Sequence, residues 1–286
     1  MPIASAPQGL RIRNMYNSDF DFIVNLFQAL EWTATRQDIE NLLMYDPLGC
    51  FVAELHGEPV GSVTTTMYTH FGWVGMLLVK AEVRRQRIGT HLMKTAIRYL
   101  FDKGAATIRL EADPLGIPLY NFLNFQKECD SLRLYRKGPQ LSAIDEVRHA
   151  TLDDLTLVFP LDRRAFGDDR RQILTRFFER SDFTLVVDNE PERGMLMAHD
   201  SAHGTYFGPF IADNSLIADK LLRAGLSQKT KQTVLVGVPR PHQPAVTLLK
   251  SYGFESKAVL SRMYYGKVPR TGDSCLEYGI GTSATG

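Results

Sequence analysis

The chain has 286 residues, 44% of them hydrophobic and 23% charged, with a formal net charge of +1. That length admits two domains of ordinary size, and that balance excludes a disordered or fibrous chain. Near-neutral charge supplies no global field for nucleic acid or an anionic membrane, so neither is expected as a partner.

Three cysteines, Cys50, Cys129 and Cys275, make neither a disulfide framework nor a metal-ligand spacing, which points to a reducing compartment and to no metal. The opening MPIASAPQGLRIR lacks an apolar core of signal-peptide length, and no run approaches a membrane span. A cytoplasmic protein is expected.

Residues 1–9 read as a tail, and 10–13 as a short alternating strand. Asn17-Ser18-Asp19 offers a helix cap, and Phe20, Ile23, Val24, Phe27 and Leu30 fall on one helical stripe. Thr35 caps a second predicted helix carrying Ile39, Leu42 and Leu43, with Glu31-Trp32 at the junction. Residues 50–55 and 59–68 read as strands joined by the hairpin turn His56-Gly57-Glu58. The segment Thr69-His70-Phe71-Gly72 then leads into a buried strand over 73–79.

A polar turn follows, and then Arg84-Arg85-Gln86-Arg87-Ile88-Gly89-Thr90 opens a helix with Ile88, Leu92, Ala96, Ile97 and Leu100 on one face. Strand, basic glycine-containing turn and helix start together build an anion site. The first amides of a helix have no internal partner, and the helix dipole adds positive charge there. Gly89 leaves room for a phosphate, and the three arginines add charge-assisted bonds. No Gly-x-Gly-x-x-Gly or Gly-Lys-Ser/Thr loop offers a Rossmann or P-loop alternative.

Residues 105–112 read as the next strand, ending near Glu111. Asp113 and a short helix with Leu119-Tyr120 follow, closing on Asn124-Phe125 before a strand that ends near Tyr135. Residues 138–142 read as a linker, and over 143–286 the pattern restarts. Two helices, three strands, a helix over 216–226 and a strand over 234–238 lead to Ala245 through Phe254, which parallels Gly116 through Phe125. Two such copies mean two similar domains. The copies diverge where chemistry would lie: Ile211-Ala212-Asp213-Asn214-Ser215 replaces the basic turn, and Leu249 stands opposite Tyr120.

Val79 followed by Arg84-x-x-Arg87-x-Gly89-Thr90 resembles the acyl-CoA motif of the GCN5-related N-acetyltransferases (GNAT superfamily), with Arg87 where the family has its first glycine. Leu119-Tyr120 through Asn124-Phe125 resembles that family's Leu-Tyr-x-x-x-Gly-Phe helix end, with Asn124 in place of glycine. Tyr206-Phe207-Gly208-Pro209, Arg262-Met263-Tyr264 and Tyr278-Gly279-Ile280-Gly281 are similar to a tandem subfamily with a degenerate second domain.

The resemblance implies an α/β fold of two tandem GNAT-like domains. Each would be a mostly antiparallel mixed sheet with a splayed central strand pair and flanking helices. It implies a catalytic domain at 10–137 and a degenerate one at 143–286 that shapes the acceptor site. It implies an N-acetyltransferase in which a primary amine of a small or amino-acid-like acceptor attacks acetyl-CoA directly. A protein lysine or N-terminal acetyltransferase, and a non-catalytic acyl-CoA sensor, are the alternatives, and the chain would be a monomer or homodimer.

By the same resemblance Leu77 and Val79 would hold the pantetheine, and Arg84, Arg85, Gln86, Arg87, Ile88, Gly89 and Thr90 the pyrophosphate. Asp113 falls where the family has an Asn on the pantetheine arm, and as an acid it accepts but does not donate. Tyr120 would protonate the leaving thiolate. Glu111 is the first choice of general base, ahead of Glu31, His70 and Glu54, while Glu31, Trp32 and His70 would touch the acceptor.

Overall fold

The computed structural model describes residues 6–142, 146–189, 192–228, 232–269 and 271–286. Residues 1–5 of the expected tail and 143–145 at the start of the second half lie outside the described residues. The first half runs β1 (Leu10–Asn14), α1 (Phe20–Ala29), α2 (Arg36–Tyr45), β2 (Cys50–Leu55), β3 (Glu58–Met67), β4 (Phe71–Val79), α3 (Ile88–Asp102), β5 (Thr107–Ala112), α4 (Ile117–Phe122) and β6 (Gln126–Lys137). The second runs β7 (Arg148–His149), α5 (Asp154–Phe166), α6 (Arg171–Arg180), β8 (Phe183–Asn189), β9 (Glu192–Ser201), β10 (Gly204–Ala212), α7 (Ser215–Gln228), β11 (Thr233–Pro239), α8 (Gln243–Ser251), β12 (Glu255–Gly266) and β13 (Glu277–Gly279).

Local chemistry explains the element starts. Asp38 accepts the Thr35 amide at 2.7 Å, a cap that sets the first turn of α2. Asp19 accepts the Tyr16 amide at 2.8 Å and pairs with Arg13, fixing the entry to α1. The α3 stripe of Ile88, Leu92, Ala96 and Leu100 is buried, as its periodicity requires.

All thirteen described strands form one mixed sheet, ordered β1-β2-β3-β4-β5-β12-β6-β11-β10-β9-β8-β7, with β13 on β10. The two halves exchange their last long strands. β12 lies between β5 and β6, pairing Arg262 with Glu111 and with Cys129. β6 in turn pairs with β11, Leu134 opposite Val236. The expected division at 138–142 is thus a boundary along the chain and not across the sheet. The exchange gives each of these strands two hydrogen-bonded neighbours, so neither half exposes an edge at the junction. The halves also share a core in which Tyr68, Phe71 and Trp73 pack with Phe166, Leu161 and Phe177. Burial of each such phenylalanine contributes about 1.5–3 kcal/mol.

Two wedges open in this sheet. β4 and β5 run parallel, but their pairing covers only Phe71–Trp73 against Thr107–Arg109. β10 and β11 likewise pair only at Thr205 and Tyr206. Beyond those points each strand pair diverges.

Candidate active site

A cavity of about 1050 Å³ follows the first wedge. Residues 74–79 of β4 form its floor, and their edge toward β5 has no ladder partner there. Met76 takes φ 47, and the β3–β4 register shifts beside it, which bends the strand.

At one end of the cavity lies the basic turn. Arg84, Arg85, Gln86 and Arg87 are exposed, and none of the three arginines makes an ion pair among the described residues. The Arg84 Nε donates to the Val79 carbonyl at 3.1 Å, which folds the turn back onto the strand end. Arg85 and Arg87 both take left-handed φ, 64 and 66. Arg87 therefore occupies a backbone shape that suits glycine, at a cost of about 1–2 kcal/mol. The α3 amides from Ile88 onward open outward from this turn. A Cβ on Gly89 would sit 3.3 Å from Leu119 Cδ2, so the gap between α3 and α4 is kept open by the missing side chain.

Tyr120 of α4 lines the cavity, its ring tilted against Phe125 at 5.8 Å. Its hydroxyl has no hydrogen-bond partner among the described residues. Burial, reinforced by the Asp113 carboxylate, pushes its phenol up, so it stays protonated across the working pH range. Asp113 accepts the Leu115 amide at 3.0 Å, a turn-forming role. Asn124, which ends this helix, takes φ 65.

Glu111 also reaches the wall, but both of its oxygens are engaged. Arg133 Nη2 holds Oε2, and Arg262 holds Oε1 at 3.1 Å. Arg133 Nη2 also donates to Ser283 Oγ at 2.7 Å. Burial would raise the Glu111 pKa, yet Arg133 and Arg262 outweigh it and hold the carboxyl below its ordinary range. A carboxylate so clamped is a weak proton acceptor, a poor match to the general-base role that the resemblance gave it first.

The other end is closed by the second half. The α1–α2 junction with Glu31 and Trp32 lines the cavity, Trp32 stacked on Phe27 at 6.0 Å. His203 Nε2 lies 3.2 Å from the Glu31 carbonyl, and the Ala202 amide donates to the Thr33 carbonyl at 3.2 Å, tying this junction to the β9–β10 turn. His199, Asp200, Ser201 and Tyr206 then face the same space, together with Thr282, Ser283 and Ala284. His199 lies in ring contact with Phe177 at 6.0 Å and with Tyr206 at 5.0 Å, and burial lowers its imidazole pKa.

The structure thus brings together Leu77, Val79, Arg84, Arg85, Arg87, Ile88, Gly89, Thr90, Asp113, Tyr120, Glu111, Glu31 and Trp32 around one cavity. Gln86 does not line it. His70 is also elsewhere: its Nδ1 lies 3.2 Å from Asp168, and its amide donates to the same carboxylate at 2.7 Å, bracing the β3–β4 turn against the second half. Arg133, His199, Tyr206 and Ser283 were not legible as site residues, because long-range pairing alone carries them to the wedge. Tyr206 stood inside the Tyr-Phe-Gly-Pro motif, which was the one available signal.

The second wedge is filled. β13 pairs with β10, Gly279 opposite Phe210, and the Ile280 amide donates to the Gly237 carbonyl at 2.8 Å. A Cβ on Gly208 would lie 2.0 Å from the Ile280 carbonyl, so this close approach requires glycine. Among the described residues no cluster of His, Cys, Asp and Glu could hold a metal ion, and no helix is long and apolar enough to cross a membrane.

Comparison with known proteins agrees with this architecture. Residues 10–125 match the acetyltransferase (GNAT) family, and residues 158–279 match an acetyltransferase (GNAT) domain. A holothin acyltransferase from a Pseudoalteromonas species is 28% identical over 254 residues, 87% of this chain and 85% of that protein. An acetyltransferase of Pectobacterium atrosepticum is 29% identical over 43% of this chain and 93% of its own length. The crystal structure of a candidate acetyltransferase from Pyrococcus horikoshii superposes with a TM-score of 0.87 at 25% identity, covering 100% of this chain and 99% of that one. A GCN5-related N-acetyltransferase from Sphaerobacter thermophilus shares the fold, with a TM-score of 0.69 at 14% identity over 94% and 99% of the two chains. The chain belongs to the GNAT superfamily as a tandem of two such domains, and it is an N-acetyltransferase.

Proposed function

We propose that this tandem GNAT enzyme moves the acetyl group of acetyl-CoA to the primary amine of a small or amino-acid-like acceptor, using the first wedge alone. The observation that carries the reading is the parting of β4 from β5 after Trp73, beside the arginines of the 84–87 turn, which make no ion pair among the described residues. Those arginines and the α3 amides suit a diphosphate, and the Gly89 gap admits it. Residues 77–79 suit an extended pantetheine arm that pairs with the free strand edge. The second wedge has no such vacancy, since 277–280 occupy it.

In the chemistry this supports, a neutral amine attacks the thioester carbonyl. The β4 amides stabilise the oxyanion. The C–N bond forms and the C–S bond breaks. Tyr120 donates its hydroxyl hydrogen to the departing sulfur, and the amine's second proton restores the phenol as the amide forms. Glu111 serves as a positioning residue that holds Arg133, Arg262 and the 283 segment in place. The second half and residues 282–284 cover the acceptor end, which favours a compact acceptor over a peptide lying in an open groove.

Thiol release on mixing the protein with acetyl-CoA and pooled primary amines tests the reading. Amine-dependent release is expected. Binding of coenzyme A with no release for any amine would favour a sensor.

A further inference from the structure

We infer that His199, a residue of the second half, is the general base that takes the proton from the acceptor ammonium. This rests on the reading of the cavity as an acetyltransferase site. Amines are protonated at neutral pH, and only the free amine attacks, so some group must accept that proton.

Three of the carboxylates on the wall are already engaged. Glu111 is clamped by two guanidiniums. Asp38 is bound to the Thr35 amide at 2.7 Å and to the Thr35 hydroxyl at 2.9 Å. Asp113 holds the Leu115 amide. His199 is the one imidazole among the described lining residues. Phe177 and Tyr206 lie against its ring, which fixes the orientation that proton transfer needs.

The wall is continuous from His199 to the reacting end. Tyr206 stands opposite His199 in the β9–β10 register. A Cβ on Gly237 would lie 2.8 Å from the Tyr206 hydroxyl and 2.9 Å from Arg133 Nη1, so those two groups converge. Arg133 in turn reaches Ser283, beside the β4 floor. His199 and the β4 floor thus line one continuous cavity, and a bridging water or the acceptor itself would carry the proton along this wall.

The charge balance around the ring suits the task. Burial favours the neutral imidazole. Asp38 from α2, Asp182 ahead of β8 and Asp200 next along β9 oppose that by favouring the cation, as does the Gly208 backbone. Tyr206 from β10 is itself kept neutral by burial. The ring is thus unprotonated at neutral pH, with carboxylates near enough to stabilise the imidazolium once it forms. Proton flow balances: the ammonium gives its first proton to His199, which releases it to solvent. The second restores Tyr120.

The test uses the full chain, with whichever of ethanolamine, putrescine or lysine it turns over fastest. Wild-type kcat, at saturation of both substrates, should fall on the acid side below the ordinary imidazole value of about 6.5. His199→Ala should lower kcat at pH 7 by about 10²–10⁴-fold, lose that limb, keep its affinity for coenzyme A, and regain turnover with added imidazole. His199→Gln, closer in size, guards against a folding defect and should be equally slow without the limb. Near wild-type kcat with the acid limb intact in either variant would overturn the assignment. So would a slow variant that keeps the limb and ignores imidazole. Wild type that binds coenzyme A yet acetylates no amine would overturn the enzymatic reading, and this assignment with it.

Discussion

Trp73 Nε1 donates a hydrogen bond to the Ser283 carbonyl at 3.0 Å. The strand that floors the open wedge therefore carries the segment that continues from the filled one. Arg262 lies over the same indole, 5.5 Å from its centroid, so a strand exchanged from the second half also packs on this residue. Coupling between the halves is built into the floor of the site.

Gly75 tests that coupling. A Cβ there would lie 2.7 Å from the Ala284 Cα and 2.8 Å from its carbonyl oxygen. Gly75→Val should displace the 282–285 segment, cost about 1–3 kcal/mol of stability, and raise the acceptor KM more than the acetyl-CoA KM. Urea unfolding and steady-state kinetics measure both effects. Equal changes in the two KM values would remove the segment from the acceptor wall.

The Tyr120 ring is buried, and among the described residues its hydroxyl has no hydrogen-bond partner. Tyr120→Phe keeps the Phe125 contact and deletes only the donor. Turnover should drop by about 10²-fold or more with coenzyme A affinity nearly unchanged. Wild-type turnover in this variant would take Tyr120 out of the mechanism.

Glu111 makes the fold acid-sensitive. Its folded pKa lies below the ordinary 4.5, because Arg133 and Arg262 together outweigh burial. A depressed carboxylate stabilises the fold above its unfolded pKa, and that contribution fades as pH falls through the folded value. Glu111→Gln leaves the part-buried Arg133 without an anion and the buried Arg262 with Glu277 alone, at 3.5 Å, and should cost about 3–5 kcal/mol at pH 7. Below about pH 4.5 its stability should fall less steeply than that of wild type. Parallel pH profiles for the two proteins would contradict the ion-pair account.

What was readable in the sequence was mostly local. The basic turn at 84–90, the helix end at Asn124-Phe125 and the doubled pattern all depend on neighbours within about ten residues, and all took the expected form. The two-domain mixed α/β fold followed from them. Strand partners were not local. The runs from Phe125 to Tyr135 and from Phe254 to Tyr264 read as strands, but nothing in either run states that each will lie in the other half's share of the sheet. Arg133 and His199 were invisible for that reason. The filling of the second wedge was hidden likewise, since Tyr278-Gly279-Ile280 reads as a turn until β10 is placed beside it.

Gly89→Glu places bulk against Leu119 and negative charge where the diphosphate should lie. Calorimetry should show coenzyme A binding lost while the unfolding midpoint stays near that of wild type. Unchanged affinity would move the phosphate site elsewhere.

The most direct measurement is a crystal structure of the full chain with coenzyme A. The diphosphate should rest on the amides from Ile88 to Thr90 among the arginines at 84–87, one ligand per chain, with the 277–280 strand undisturbed in its own wedge. Coenzyme A lodged between β10 and β11, or absent from the first wedge at saturating concentration, would contradict the account.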